Sequence, residues 1–224
     1  GGPSILGPTT MLTLHYYPGN ASMTPHLLMR ELGVPFELAH VDRTAGAHKS
    51  AAYLKLNPNG LIPVLVDGDT VLYETAAIVL HLVETHPDAG LAPAVGDTDR
   101  PEFLKWLVWL TATLHPQMPM YFYSDRYVAT GNAEGAAEVM AQAQARVASM
   151  IGRREARFAD GRTWMLGERF SVLDPYVFML CRWTRVMARP ARTLPHLGAF
   201  LQRMLARPAV QAVVKAEGLQ PPLV

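Results

Sequence analysis

A single cysteine, Cys181, among 224 residues leaves no partner for an internal disulfide and argues against a secreted, disulfide-stapled scaffold. Charge of one sign is equally scarce: 20 Lys and Arg face 19 Asp and Glu, a formal net charge of +1. The basic residues are scattered, whereas a nucleic-acid binder concentrates them on one patch. Long apolar runs are missing as well. Ala76–Leu80 is typical of the longest, far short of the roughly 20 residues a membrane-spanning helix needs. Gly1–Thr10 has neither a positive start nor an apolar stretch, so it is expected to be a flexible tail ahead of Met11 and not a signal peptide. The class implied is a soluble, cytoplasmic protein with no nucleic-acid or membrane partner. With 50% hydrophobic residues, the chain can bury one large core or two small ones.

From Leu12 the residues alternate, with Leu12, Leu14 and Tyr16 on one face and Thr13 and His15 on the other. That is strand periodicity, closed by the turn residues Pro18-Gly19-Asn20. Thr24-Pro25 reads as a helix start, with a hydroxyl cap and proline at the first helical position. Gly33 and Pro35 end that helix, and Phe36–Val41 reads as a second strand, completing a parallel βαβ unit. Ile62–Val66 and Val71–Tyr73 flank Asp67-Gly68-Asp69, a hairpin signal, and a helix follows over about 75–85. The turn-rich stretch 86–100 reads as a linker. Beyond it no strand is expected. Phe103, Leu104, Leu107, Val108, Leu110 and Thr111 fit a buried helical face, and 134–158 is a long amphipathic helix. Ser171-Val172-Leu173-Asp174 is a capping box opening an almost wholly apolar helix, the expected core helix of the second half.

Four segments resemble the glutathione transferase superfamily, most closely its bacterial beta class. They are YYPGNASMTPHLLMRELGVPFEL, NPNGLIPVLVDGDTVLYETAAIVLHLVE, FSVLDPYVFMLCRW and PHLGAFLQRMLARPAVQ, in the family's order and spanning nearly all of Met11–Gln211. The resemblance implies a thioredoxin-like α/β domain (βαβ-ββα) over 11–85 that binds glutathione, then an all-α domain over 101–224. It also implies a homodimer, glutathione as co-substrate and no metal.

Residue by residue, the resemblance makes Ile62–Pro63 a cis peptide whose main chain pairs with the cysteinyl part of glutathione. On the base rate alone a trans proline opening a strand is the ordinary reading. Glu74-Thr75 matches the pair that holds the γ-glutamyl end; helix capping is the commoner job of such residues. Beta-class members carry cysteine then serine after Pro-Gly-X, and here Ala21 stands in place of the cysteine, ahead of Ser22. Disulfide exchange needs a thiolate, so that chemistry is excluded at this position. Ser22 aligns with the hydroxyl that serine-type members direct at the glutathione sulfur. Its plain alternative is a helix-entry hydroxyl, with Thr24 as the cap. Asn20 is a second candidate donor. His115 falls where beta-class proteins have a histidine, but Pro116 replaces the following lysine, and a lone histidine near a helix end also serves structurally.

Leu61 replaces a polar or basic residue that helps hold the glycyl end, which leaves His48 or Lys49 for that carboxylate. Met118, Tyr121, Phe122, Tyr123 and Trp183 are either the wall of a co-substrate pocket or plain core. Cys181, among Met179, Leu180 and Trp183, reads as an inert packed thiol. The expected function is conjugation of the glutathione thiolate to a small hydrophobic electrophile, with a glutathione-dependent peroxidase reaction open to the same machinery. The rival is a non-catalytic ligand-binding protein that keeps the fold.

Overall fold

The computed structural model describes residues 11–224, so the expected Gly1–Thr10 tail lies outside the described residues. Strand β1 (Leu12–Tyr16) runs parallel to β2 (Phe36–His40) and antiparallel to β3 (Val64–Asp67), which pairs antiparallel with β4 (Thr70–Tyr73). The sheet order is β2-β1-β3-β4, the mixed sheet that the βαβ unit and hairpin imply. The hairpin closes through Gly68-Asp69 with Gly68 at φ 57°, and a two-residue turn of this kind wants glycine at its first central position.

Helix α1 (Met23–Leu32) ends on Gly33 at φ 66°, and one residue pair at its start departs from expectation. Ser22, not Thr24, occupies the cap position, and Thr24 is fully buried with its hydroxyl donating to Met179 Sδ at 3.2 Å. Packing against the helical half decides this boundary. A short helix α2 (Ala51–Leu56) fills the stretch between β2 and β3 that the sequence reading leaves as loop. Its signal is local: Ser50 Oγ accepts from Tyr53 N–H, and Asn57-Pro58 stops it. Helix α3 (Thr75–Thr85) follows the hairpin.

Beyond α3 the regular elements among the described residues are helices, with α4 (Arg100–Trp109), α5 (Gln117–Phe122), α6 (Ala133–Phe158), α7 (Leu173–Trp183), α8 (Pro195–Leu205) and α9 (Pro208–Ala216), besides two isolated bridges. The α4 face is narrower than expected. Phe103, Leu107 and Leu110 are buried, whereas Leu104 and Val108 are exposed at 38% and 61%. The core takes the 103-107-110-114 stripe and leaves the next row to the surface. The capping box forms: Asp174 accepts from Ser171 N–H at 2.9 Å, and Ser171 Oγ from Leu173 N–H at 3.3 Å. The second Asp174 oxygen accepts from Met165 N–H at 2.8 Å, tying the preceding loop to α7.

One apolar cluster runs through both halves, from Leu14 and Leu27 across Met179 and Leu180 to Phe200 and Val213. The stretch 86–100 is no loose tether. Its Leu91 carbonyl accepts from Val172 N–H, and Asp97 pairs with Arg169 at 2.8 Å.

Candidate active site

Between the loops at one end of the sheet and the helices α5 and α7, a cavity of about 770 Å³ opens between the two halves. One wall is built by the first half. The Pro18-Gly19-Asn20 turn leads into α1 and is pinned from both sides by the helical half. Trp183 Nε1–H donates to the Gly19 carbonyl at 2.8 Å, and Gly19 N–H donates to Glu217 at 2.8 Å. Glu217 is itself buried against His26 Nδ1 at 2.7 Å. The turn therefore presents Asn20 and Ala21 to the cavity in a fixed place.

Ile62 and Pro63 line the same wall, and their peptide is cis. The Leu61 carbonyl just before them is held by Tyr53 OH at 2.7 Å and Asn57 Nδ2 at 2.9 Å. Leu61 itself is 55% exposed. The main chain of Ile62 makes no hydrogen bond among the described residues. Glu74 and Thr75 also face the cavity. Glu74 sits at φ 74°, alone among the non-glycine residues described, in a region that costs about 1–3 kcal/mol. Neither side chain caps α3. Lys49 completes this wall, its Nζ 3.5 Å from the Asn59 carbonyl. Gly60 at φ 61° lets the chain pass beneath it, since a Cβ there would come within 2.8 Å of Lys49 Nζ.

The other wall belongs to the helical half. A π-helical turn over Leu110–Leu114 ends α4's run, with His115 N–H donating to the Leu110 carbonyl at 2.8 Å. The extra residue rotates the chain so that His115, half-buried, lines the cavity. Its ring stands edge-on to Trp183 and Tyr176. His115 Nδ1 lies 2.8 Å from Tyr176 OH, and Thr111 donates to that same oxygen at 3.4 Å. The phenol oxygen accepts from Thr111, and we assign its own proton to Nδ1, which places the ring proton on Nε2. Burial holds the imidazole down to about 4, so it is neutral at physiological pH.

Ser22 is fully buried and does not line the cavity. Its hydroxyl donates to the Tyr17 carbonyl at 3.2 Å and accepts from Tyr17 N–H at 3.3 Å. The chain folds back through Pro18-Gly19, and the hydroxyl braces this turn. Asn20 Oδ1 accepts from Ala21 N–H at 2.6 Å, while its Nδ2 is unbonded among the described residues.

Of the aromatic group singled out in the sequence, Met118, Phe122, Tyr123 and Trp183 line the cavity, and Tyr121 does not. Cys181 is buried, with its thiol pushed up to about 12 by burial. Tyr17, Arg43, Arg126 and Arg185 line the cavity without having been expected there. Tyr17 adjoins the Pro-Gly turn and was legible by position; the arginines come from three separate loops and left no local signal.

Two family models match the chain: the glutathione S-transferase N-terminal domain over residues 21–85, and the C-terminal domain of the same family over 107–208. Glutathione S-transferase GST-4.5 of Xanthomonas campestris pv. campestris is 34% identical over 93% of this chain and all of its own length. A glutathione transferase homologue from Sulfitobacter, solved with bound glutathione, superposes with a TM-score of 0.85 at 29% identity, covering 94% of this chain and 100% of its own. The beta-class enzyme of Sphingomonas chungbukensis superposes with a TM-score of 0.80 at 30% identity, over 93% of this chain and 100% of its own.

Proposed function

The chain belongs to the glutathione S-transferase family, and we propose that it conjugates the thiolate of glutathione to a small hydrophobic electrophile. The observation that carries this is the two-walled cavity: main-chain and polar groups suited to a peptide thiol on one side, a half-buried neutral histidine and aromatic rings on the other. Glutathione bound to the Sulfitobacter homologue supports the same ligand here.

In this reading the Ile62 main chain, ahead of Pro63, pairs with the cysteinyl unit. Glu74 takes the γ-glutamyl ammonium, Thr75 and the first N–H groups of α3 take its carboxylate, and Lys49 takes the glycyl carboxylate. The sulfur then lies at the start of α1, where Asn20 Nδ2 and His115 Nε2–H act as donors. Hydrogen bonds to a charged group contribute roughly 1.5–3 kcal/mol and a helix start about 0.3–1 kcal/mol. Together these lower a thiol pKa by roughly 1.5–3 units, which ionises it near neutrality. The protein positions and stabilises the thiolate and forms no covalent intermediate. A peroxide accepted in the same cavity would be reduced by the same thiolate: the O–O bond breaks, an alcohol leaves, and the glutathione sulfenic acid reacts with a second glutathione to give disulfide and water.

We place the protein in the cytoplasm, and none of the described helices is long and apolar enough to cross a membrane. A homodimer belongs to the same reading, and Leu104 and Val108, four residues apart on α4 and both exposed, offer it an apolar row. Calorimetric titration with reduced glutathione tests the reading. One saturable site per chain in the micromolar to low millimolar range is expected, followed by turnover of a chloronitrobenzene. No heat at several millimolar glutathione, confirmed by a second method, would leave the ligand-binding alternative in its place.

A further inference from the structure

The chain as a whole carries a formal charge of only +1, yet Arg43, Lys49, Arg126 and Arg185 line the cavity against a single carboxylate, Glu74. Among the described residues none of the three arginines is ion-paired. Two of them meet on one ring. Arg43 donates to Tyr123 OH at 2.9 Å, and the Arg126 guanidinium lies 4.1 Å from the centre of the same ring. Like charges gathered at a half-enclosed site repel one another, and the ring face offsets only part of that cost. His48 is held below its usual range by burial first and then by Lys49, Arg43 and Arg126, so these cations stand within electrostatic reach of one another.

Glutathione does not use up this charge. Its proposed contacts come from α1, α3 and the segments around Lys49 and Ile62. Arg126 and Arg185 stand on other elements, the turns Ser124–Tyr127 and Thr184–Val186, and Arg43 lies six residues before Lys49 in the β2–α2 connection with its guanidinium on Tyr123. Arg43 and Arg126 contact Tyr123, and all three arginines line the cavity together with Phe122 and Trp183.

We propose that the electrophile accepted here carries a fixed negative charge, a carboxylate or sulfonate on an apolar body, received by Arg43 and Arg126 where they meet on Tyr123, with Arg185 lining the same cavity. A guanidinium fork matches a planar oxyanion with two parallel N–H bonds, which fixes orientation as well as affinity. The inference rests on the transferase reading. The chemistry balances without a further reagent: the thiol proton has left to solvent, the sulfur lone pair forms the C–S bond, and the leaving group departs with the electrons of its own bond.

The test compares chlorodinitrobenzoate with the matching neutral chlorodinitrobenzotrifluoride, each rate corrected for and divided by its uncatalysed rate. The wild type is expected to favour the benzoate by roughly tenfold or more in kcat/KM, the factor that about 1.4 kcal/mol supplies. Arg43→Gln and Arg126→Gln should each erase most of that preference, Arg126→Lys should keep part of it, and added salt should weaken it. Thermal unfolding confirms that each variant is folded. A wild type with no preference overturns the proposal, as does a preference that survives both glutamine variants. Equal losses on both electrophiles with a raised glutathione KM would assign the guanidiniums to glutathione instead. Failure of the wild type to conjugate either compound takes down the transferase reading, and this one with it.

Discussion

Replacing His115 by phenylalanine keeps a ring of similar size against Trp183 and Tyr176 and removes one thing from the cavity, the Nε2–H donor. A hydrogen bond to a thiolate is worth roughly 1.5–3 kcal/mol, so the bound glutathione pKa should rise by about 1.1–2.2 units. If the wild-type thiol ionises near pH 6.5, the thiolate fraction at that pH falls roughly 7- to 80-fold, and activity falls with it. Above pH 9 the thiol ionises unaided and the two enzymes should converge. The assay is the ultraviolet absorbance of the bound thiolate against pH, beside the pH profile of kcat/KM. The histidine stays neutral down to about 4, so the wild-type profile should show one ascending limb and no second inflection from an imidazole. The substitution also strips Tyr176 of its 2.8 Å partner, a cost of about 1 kcal/mol that thermal unfolding will register separately. A thiol pKa that does not move in the variant would refute the donor role.

Ser22→Ala should leave that thiol pKa unchanged and lower stability by about 1–2 kcal/mol, because its hydroxyl braces Tyr17 and not the sulfur; a shifted pKa would restore Ser22 to the site. Glu74→Gln should weaken glutathione binding roughly 10- to 100-fold by calorimetry. Glu74→Gly should weaken it similarly while leaving the fold neutral to about 2 kcal/mol more stable, because glycine relaxes the φ of 74°. His115 also predicts a pH effect on folding. Its folded pKa is depressed, so the unfolded chain binds the extra proton between about pH 4 and 6.5, and stability falls as pH drops through that window. Denaturant titrations should show the wild type losing up to about 3 kcal/mol more than His115→Phe across it. Asp174 has the opposite sign. Burial raises its carboxyl to about 7, so its contribution is full at acid pH and is lost as pH rises towards 7.

The periodicities that fold the chain are local, and the strands, the hairpin, the long helix and the capping box could all be read from them. Asp174 illustrates why: its partners are a serine three residues before it and a loop nine residues before it. The boundary at Ser22 and Thr24 could not be read in this way, because the deciding contact for Thr24 is Met179, 155 residues away. The exposed row of Leu104 and Val108 was misread for a related reason. Composition marks a residue as apolar, but only the placement of α7 decides which row of α4 is buried.

The same division of labour shapes the site. The Pro18-Gly19-Asn20 turn, Ile62-Pro63 and Glu74-Thr75 are each short motifs, visible wherever they occur. What makes them a site is that Trp183 and Glu217, from the far end of the chain, clamp Gly19 from opposite sides. The turn that presents Asn20 is therefore only as well placed as the packing of α7 and α9 onto α1. Damage to that packing should move the sulfur before it unfolds the sheet. The arginines are the extreme case: they come from three loops with no shared motif, and their meaning exists only in three dimensions. Charge counting along the chain finds near-neutrality, whereas the cavity they line is strongly positive. The short motifs proposed to hold glutathione were thus open to sequence reading, and the arginines proposed to choose its partner were not.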